Sequence, residues 1–171
     1  MKWLRSAVQR IDASNEIIAK TVRWLIPVIM CITVYNVVLR YLFDAPTTWA
    51  YELAGLLLGP FWLLCGGYVL LKDAHVRMDI FYRHFTPRKQ AIMDLVTYTL
   101  FLFYCSLILI YGWDFFWLSV IRQTRSSKSI WRPLLWPFNA AIPIGAALIL
   151  LAGIAKYIRD LYIAITGRRL E

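Results

Sequence analysis

Histidines, cysteines and isolated charged residues are the side chains of this 171-residue sequence whose chemistry could serve catalysis or metal binding. The histidines are His75 and His84, and His75 with Asp73 and Asp79 offers three potential ligands. We consider this group too sparse for a metal site, since structural zinc takes four closely placed ligands. Both histidines also stand outside the apolar segments in which a haem-binding pair would have to face each other, so a b-type cytochrome is excluded.

Three cysteines, Cys31, Cys65 and Cys105, each stand in the middle of a different apolar block. A thiol in such a place packs as a small hydrophobic residue, and without a C-x-x-C pair a membrane disulfide oxidoreductase is not expected. The sequence also has no phosphate-binding loop, dinucleotide fingerprint, H-E-x-x-H or G-x-S-x-G motif. We therefore predict no catalytic, cofactor-binding or metal-binding residue, and a chain that is not an enzyme.

Two charged residues at the ends of neighbouring apolar blocks form a candidate structural pair. Arg40 stands near the end of the first block and Glu52 near the start of the second, with a short turn between them. The short turn makes the two helices antiparallel neighbours, so we expect Arg40 and Glu52 to pair directly or through water and to fix this hairpin. Asn36 lies one turn before Arg40 on the same helix face and is expected to hydrogen-bond to another helix.

The elements that carry these residues are long apolar blocks, and 60% of the chain is hydrophobic. A membrane-spanning helix needs roughly 20 mostly apolar residues, and within a bilayer every backbone polar group must be satisfied inside the segment. The sequence therefore predicts an all-α membrane protein with four transmembrane helices, folded as a single domain over residues 1–171. The expected spans are about 22–43, 49–71, 91–121 and 134–157.

The net charge of +9 comes from basic residues that flank the apolar blocks, where they meet lipid headgroups, so no nucleic-acid partner is expected. Fourteen Lys and Arg residues fall on the side that holds both termini, against five on the other side. The positive-inside rule then places both termini in the cytoplasm. Residues 1–21 carry Leu4, Val8, Ile11 and Ile18 at helical spacing, which predicts an N-terminal interfacial amphipathic helix on the cytoplasmic leaflet.

Two further features indicate contacts with other helices or other proteins. Gly55 and Gly59 form a G-x-x-x-G motif in the second span, which lets helices approach closely within one chain or between chains. The loop between the third and fourth spans, on the predicted outer side, carries four basic residues: Arg122, Arg125, Lys128 and Arg132.

Several short motifs follow one another along the chain in an order that carries a family resemblance. They are Asn36-Val37-x-x-Arg40-Tyr41-x-Phe43, then Trp49 and Glu52, then Gly66-Gly67-Tyr68, then His75-Val76-Arg77-x-Asp79, and finally Ser126, Ser129, Trp131, Pro133, Trp136, Pro137 and Ile142-Pro143-Ile144-Gly145. Together they resemble the small, DctQ-like membrane subunit of tripartite ATP-independent periplasmic (TRAP) transporters, with the His75–Asp79 signature the most specific piece. A lysine often follows the Trp-Pro pair in that family and Phe138 stands here, which leaves the subfamily and the solute open.

The resemblance implies a scaffold role in the cytoplasmic (inner) membrane of a bacterium or archaeon. In that family a periplasmic binding protein captures an organic anion, a carboxylate or a sulfonate, and docks on a complex of a small Q and a large M subunit. The M subunit holds the solute and sodium sites and moves its transport domain like an elevator, while the Q subunit packs on the stationary part of M. The expected partners are therefore the M subunit, the binding protein and membrane lipids.

For the residues of this chain the resemblance implies interface roles rather than catalytic ones. The structural and interface candidates are Asn36, Arg40, Trp49, Glu52, Gly55, Gly59, His75, Arg77 and Asp79, and we expect the His75–Asp79 loop to cap the second and third spans or to contact the large subunit. The four outer basic residues are candidates for docking the binding protein.

Two alternatives remain open from the sequence. One is a structural or assembly subunit of another multi-subunit membrane complex, such as a respiratory one. The other is a stand-alone small membrane enzyme or redox carrier, which would need buried acids, bases or haem ligands. Co-purification distinguishes a transporter subunit from the first alternative. A large permease that co-purifies with the chain would indicate a transporter, whereas redox subunits would indicate the first alternative.

Overall fold

The fold was analysed in a computed structural model, which describes residues 2–72 and 87–166. Its helices are α1 (Lys2–Val22), α2 (Leu25–Leu42), α3 (Ala50–Leu71), α4 (Pro87–Ile121), α5 (Trp136–Asn139) and α6 (Ala141–Thr166). Apart from one isolated antiparallel bridge, these residues contain no strand. Four helical stretches are long and apolar enough to cross a membrane, namely Val8–Leu42, Ala50–Leu71, Val96–Ile121 and Trp136–Tyr162. The predicted all-helical architecture with four membrane-spanning helices is thereby confirmed.

The ends of the helices follow local backbone chemistry. Asp44 has a φ of 48° just after α2, a left-handed conformation that short polar side chains tolerate, and the Ala45 amide folds back to the Leu39 carbonyl at 3.0 Å. Between α5 and α6 the helical ladder is interrupted at Ala140. Pro143 has no N–H to donate to the carbonyl four residues earlier, which accounts for this interruption.

The four spanning helices lie side by side in an open row. Within the described residues α2 packs on α3, α3 packs on α6, and α6 makes its most extensive contacts with α4. A closed four-helix bundle would also join the first helix of this series to the last. Because α2 and α4 instead form the two edges, much of the surface of the row stays uncovered, and α2 has no buried residue at all.

Small residues on one face of α6 let it approach both neighbours closely. Ala152 and Ala155 are fully buried. At Gly145 an added Cβ would lie 2.8 Å from the backbone oxygen of Leu63, so α6 and α3 are in backbone contact there. At Gly153 an added Cβ would lie 3.0 Å from the side-chain Cδ2 of Leu102 of α4. The centre of the row therefore depends on residues that lack side-chain bulk.

The G-x-x-x-G motif of α3 has a different environment. An added Cβ at Gly55 or at Gly59 would meet nothing within 4 Å. Close packing of this motif within the chain, one of the two expected arrangements, is therefore not seen. The motif lies on an open face of α3, between the exposed side chains of Tyr51 and Trp62.

Helix α1 packs across the row at the end where α3 finishes. It contacts α3 and α6, with Asn15 and Ala19 buried on its inner face and Ile17 exposed on its outer face. Two residues, Arg23 and Trp24, separate it from α2, and their amides bond back to Ala19 and Thr21 at 3.0 and 3.3 Å. The predicted N-terminal helix is present, while its position on a membrane surface and the cytoplasmic location of the termini remain predictions.

Matched glycine-to-alanine substitutions test the contact between α6 and α3. In a helix, Gly→Ala by itself is stabilising by roughly 0.5–1 kcal/mol. We expect Gly145→Ala to destabilise the isolated chain by about 1–3 kcal/mol, because the new methyl group must push the Leu63 backbone away. The control Gly55→Ala should leave the Tm in detergent unchanged or raise it. Equal Tm values for the two variants would contradict the packing at Gly145.

Candidate functional site

A folded hairpin joins α4 to α5 and carries most of the polar groups at its end of the row. We call residues 122–135 the basic hairpin. The Ser126 amide donates to the Pro133 carbonyl and the Leu135 amide to the Thr124 carbonyl, each at 2.9 Å, around a bridge between Arg125 and Leu134. Left-handed residues stand near both ends of this pairing, at Gln123 with a φ of 48° and at Arg132 with a φ of 44°. The connection is therefore an ordered element and not a loose loop.

Glu52 fastens this hairpin to the first turn of α3. Its carboxylate accepts a hydrogen bond from the hydroxyl of Ser129, 77 residues further along the chain. Ser126 lies beside the same carboxylate, and its own hydroxyl accepts the Lys128 amide at 3.2 Å. Glu52 is 8% exposed and Ser126 4%, and the N-terminal end of the α3 dipole favours a negative charge at this position. We call Glu52, Ser126 and Ser129 the clasp.

No direct ion pair joins the described side chains of Arg40 and Glu52, and the expected pairing through water stays a prediction. Glu52 turns toward Ser129 of the basic hairpin, while Arg40 lies exposed at the end of α2. Because a serine hydroxyl brings no charge of its own, it satisfies a buried carboxylate oxygen without the desolvation cost of a second buried ion. The pairing rule applied to the sequence considered only neighbours across the short turn and missed a partner from the far side of the chain.

Asn36 and Trp49 instead hold the turn between α2 and α3. The Thr47 hydroxyl donates to Asn36 Oδ1 at 2.6 Å, and the rings of Tyr35 and Trp49 lie 6.2 Å apart between centroids. The predicted hydrogen bond of Asn36 therefore goes to the turn and not to another helix. Together the two contacts stabilise the turn between α2 and α3.

The four outer basic candidates all lie on the basic hairpin and are exposed: Arg122, Arg125, Lys128 and Arg132. Arg125 Nη1 also donates to the Arg132 carbonyl at 3.4 Å, which links the two arms of the hairpin. Ile130 stands among them with 87% of its surface exposed, and Trp131 beside it with 42%. The structure thus places the four exposed cations on one hairpin, which also carries the exposed apolar side chain of Ile130. His75, Arg77 and Asp79, in contrast, lie outside the described residues, as do Asp73 and His84.

A second polar cluster, at the α1 end of the row, was not among the candidate residues selected from the sequence. Lys156 is 8% exposed, and its Nζ lies 5.4 Å from the centroid of the Tyr98 ring on α4. One turn away, Arg159 of α6 forms an ion pair with Asp12 of α1. Helical spacing in the sequence could have predicted the burial of Lys156, because it follows Ala152 by four residues on the buried face of α6.

Asn15 completes the attachment of α1 to the row. It is 1% exposed, its amide nitrogen donates to the Ile11 carbonyl at 3.0 Å, and its side chain packs directly on Gly67 of α3. Gly67 in turn approaches the Leu148 backbone of α6, so three helices meet at one point. A side chain at position 67 would displace Asn15, which explains why a glycine stands at this position near the end of α3.

The side chains named above supply positioned hydrogen bonds and charges. Among the residues that the structure describes, no three His, Cys, Asp or Glu side chains come together as a metal-binding group. The cysteines are free thiols in three different environments, with Cys31 exposed, Cys65 half-buried and Cys105 buried.

Comparison with known proteins gave one family match. The model of the family described as "Tripartite ATP-independent periplasmic transporters, DctQ component" matches residues 29–162 of the chain. A search of the curated proteins found no match. The matched range begins in α2 and ends in α6, so it includes most of these two helices, all of α3 and α4, and the basic hairpin.

A charge-swap experiment tests the ion pair that attaches α1. The side chains of Asp12 and Arg159 are 32% and 31% exposed, so replacing one partner should cost about 1–3 kcal/mol, as for other hydrogen bonds between charged groups. We expect Asp12→Arg and Arg159→Asp each to lower the Tm and the double variant to recover part of the loss. Additive losses in the double variant would show that the two residues do not interact.

Proposed function

The chain belongs to the DctQ component family of the tripartite ATP-independent periplasmic transporters, and we propose that it is the scaffold subunit of a sodium-coupled complex that imports an organic anion. It is a multi-pass membrane protein and a small component of a transporter. The family works together with DctM and DctP components. We infer that this chain packs on a DctM-like large subunit in the inner membrane and receives a solute-loaded, DctP-like binding protein.

The open row is the observation that supports a scaffold role most strongly. The row leaves α2 and the Gly55–Gly59 face of α3 uncovered for a large partner, whereas a closed bundle would turn much of that surface inward. On α3 the face that carries Gly55 and Gly59 has room for another helix. Small-residue faces of this kind favour helix association in membranes, where van der Waals packing replaces the hydrophobic effect.

A scaffold in an elevator-type transporter must resist deformation while the transport domain moves against it. The described contacts of α6 with α3 and α4 are close and involve backbone at Gly145, and such tightly packed interiors transmit strain instead of absorbing it. We propose that the solute and sodium sites lie in the large subunit and that this chain widens the stationary part of the complex. The solute is then chosen by the other two components.

The basic hairpin is the proposed contact for the binding protein. With both termini in the cytoplasm, the end of the row opposite α1 faces the periplasm, and this is the end that carries the hairpin. Four exposed cations there complement an acidic surface and accelerate its approach.

Reconstitution into vesicles tests the main proposal. We expect sodium-driven uptake of the organic anion only when this chain, the large subunit and the loaded binding protein are all present. The chain alone should carry no solute. Uptake by the chain alone, or full uptake without it, would contradict the scaffold function, and co-purification with redox subunits would favour another membrane complex.

Substitution on the open face of α3 tests the contact with the large subunit. We expect Gly55→Leu combined with Gly59→Leu to abolish co-purification of the large subunit in mild detergent, because two bulky side chains would fill the space for its helix. The Tm of the isolated chain should stay unchanged. Thr97→Leu, at an exposed position of α4 on the far edge of the row, is the matched control and should retain the partner. If both variants retain it, the α3 face is not the interface.

Charge reversal on the basic hairpin tests the contact with the binding protein. We expect Arg125→Glu and Lys128→Glu together to weaken its binding to the membrane complex at least tenfold at low salt, with a smaller difference at high salt because of screening. Affinity measured by surface plasmon resonance at two salt concentrations checks both statements. An affinity that does not change in either buffer would exclude the hairpin from the docking surface.

A further inference from the structure

The clasp holds the basic hairpin at a single, buried point. Ser129 is bonded to Glu52, and on the other side of Lys128 the Ser126 hydroxyl accepts the Lys128 amide. The backbone is therefore fixed on both sides of Lys128. Arg125 and Arg132 are joined across the hairpin by their own hydrogen bond, so the placement of three of the four cations depends on how the hairpin sits on α3.

A carboxylate suits this anchoring task better than a neutral side chain. Hydrogen bonds to a charged acceptor are roughly twice as strong as neutral ones, and the start of α3 supplies a favourable dipole for the charge. Burial of Glu52 also excludes water that would compete for Ser129. The electrostatic attraction of Lys128 for the same carboxylate adds to the hold on the hairpin.

The clasp also determines where the apolar tip points. Ile130 follows Ser129 directly and is 87% exposed. A large aliphatic side chain surrounded by cations is the pattern of a protein interface, in which an apolar centre is ringed by polar and charged groups. An unanchored hairpin would have to be ordered at the moment of binding, and this ordering lowers affinity.

We propose that Glu52 is a positioning residue, which through Ser129 holds the basic hairpin as a preformed docking surface with Ile130 at its centre and Arg125, Lys128 and Arg132 at its rim. The partner is the acidic face of the periplasmic binding protein. This inference rests on the docking role proposed above and adds to it the residue that presents the surface and the apolar residue that anchors the partner.

Hydrogen exchange and affinity, measured on the same samples, test the proposal. The samples are the membrane complex of this chain with its large subunit in nanodiscs, carrying Glu52→Gln, Ser129→Ala, Ile130→Ala or the control Ser127→Ala. Ser127 is exposed and adjacent to the clasp residues in sequence. Glu52→Gln and Ser129→Ala keep the side-chain size close to the original, so the row itself should remain folded.

We expect Glu52→Gln and Ser129→Ala to speed amide exchange across residues 122–135 and to weaken binding of the binding protein about tenfold, as for loss of preorganisation. Ile130→Ala should weaken binding to a similar degree while exchange in the hairpin stays unchanged. Ser127→Ala should alter neither quantity. This pattern separates presentation of the surface, which needs the clasp, from contact with the partner, which needs Ile130.

Any result that differs from this pattern contradicts a specific part of the proposal. Unchanged exchange in the Glu52 and Ser129 variants would show that the clasp does not order the hairpin. Faster exchange with unchanged affinity would show that docking does not need the ordered hairpin, and the proposal would be wrong. If charge reversal also leaves affinity unchanged, the docking role itself fails. If Ile130→Ala reduces only binding to phosphatidylglycerol vesicles, the tip serves the membrane and the proposal is wrong.

Discussion

The backbone contact between α6 and α3 at Gly145 is the interaction on which the arrangement of the helices depends. Inside a membrane, lipid tails are as apolar as leucine, so helices are held together by close packing and not by the exclusion of water. Gly145 brings the two backbones together at Leu63, and further along α6 the buried Ala152 belongs to one core cluster with Leu70 of α3. With α6 fixed in the middle, α3 and α4 take its two sides and α2 is left at the edge.

The open row has a consequence for how this protein can work. A closed bundle of four helices buries most of its surface in its own interior, whereas this row leaves α2 without a buried residue and the Gly55–Gly59 face of α3 without a neighbour. Such a chain has a rigid centre and an uncovered apolar surface. Both properties suit a component that extends a larger membrane protein, and the match to a transporter component family agrees with that description.

Polar side chains at the two ends of the row form different kinds of interaction. At the α1 end the charges are shared between helices, with Asp12 paired to Arg159 and Lys156 over the Tyr98 ring. At the other end one carboxylate, Glu52, accepts a hydrogen bond from Ser129, and the four cations of the basic hairpin are exposed. At the α1 end, the ion pair neutralises charge and attaches α1 to the row. At the other end, the exposed charges lie on a hairpin that Glu52 holds in place.

The sequence by itself determined the number and class of the helices, because a run of roughly 20 apolar residues has one stable backbone arrangement in a bilayer. It also pointed to Asn36, Trp49, Glu52 and the four hairpin cations as residues with a role. Their partners were decided only by the tertiary structure, since Ser129 reaches Glu52 from 77 residues away and local rules favoured the nearby Arg40. The same limit applies to small residues, because Gly55 and Gly145 look alike in sequence and differ only in whether a neighbouring helix is present.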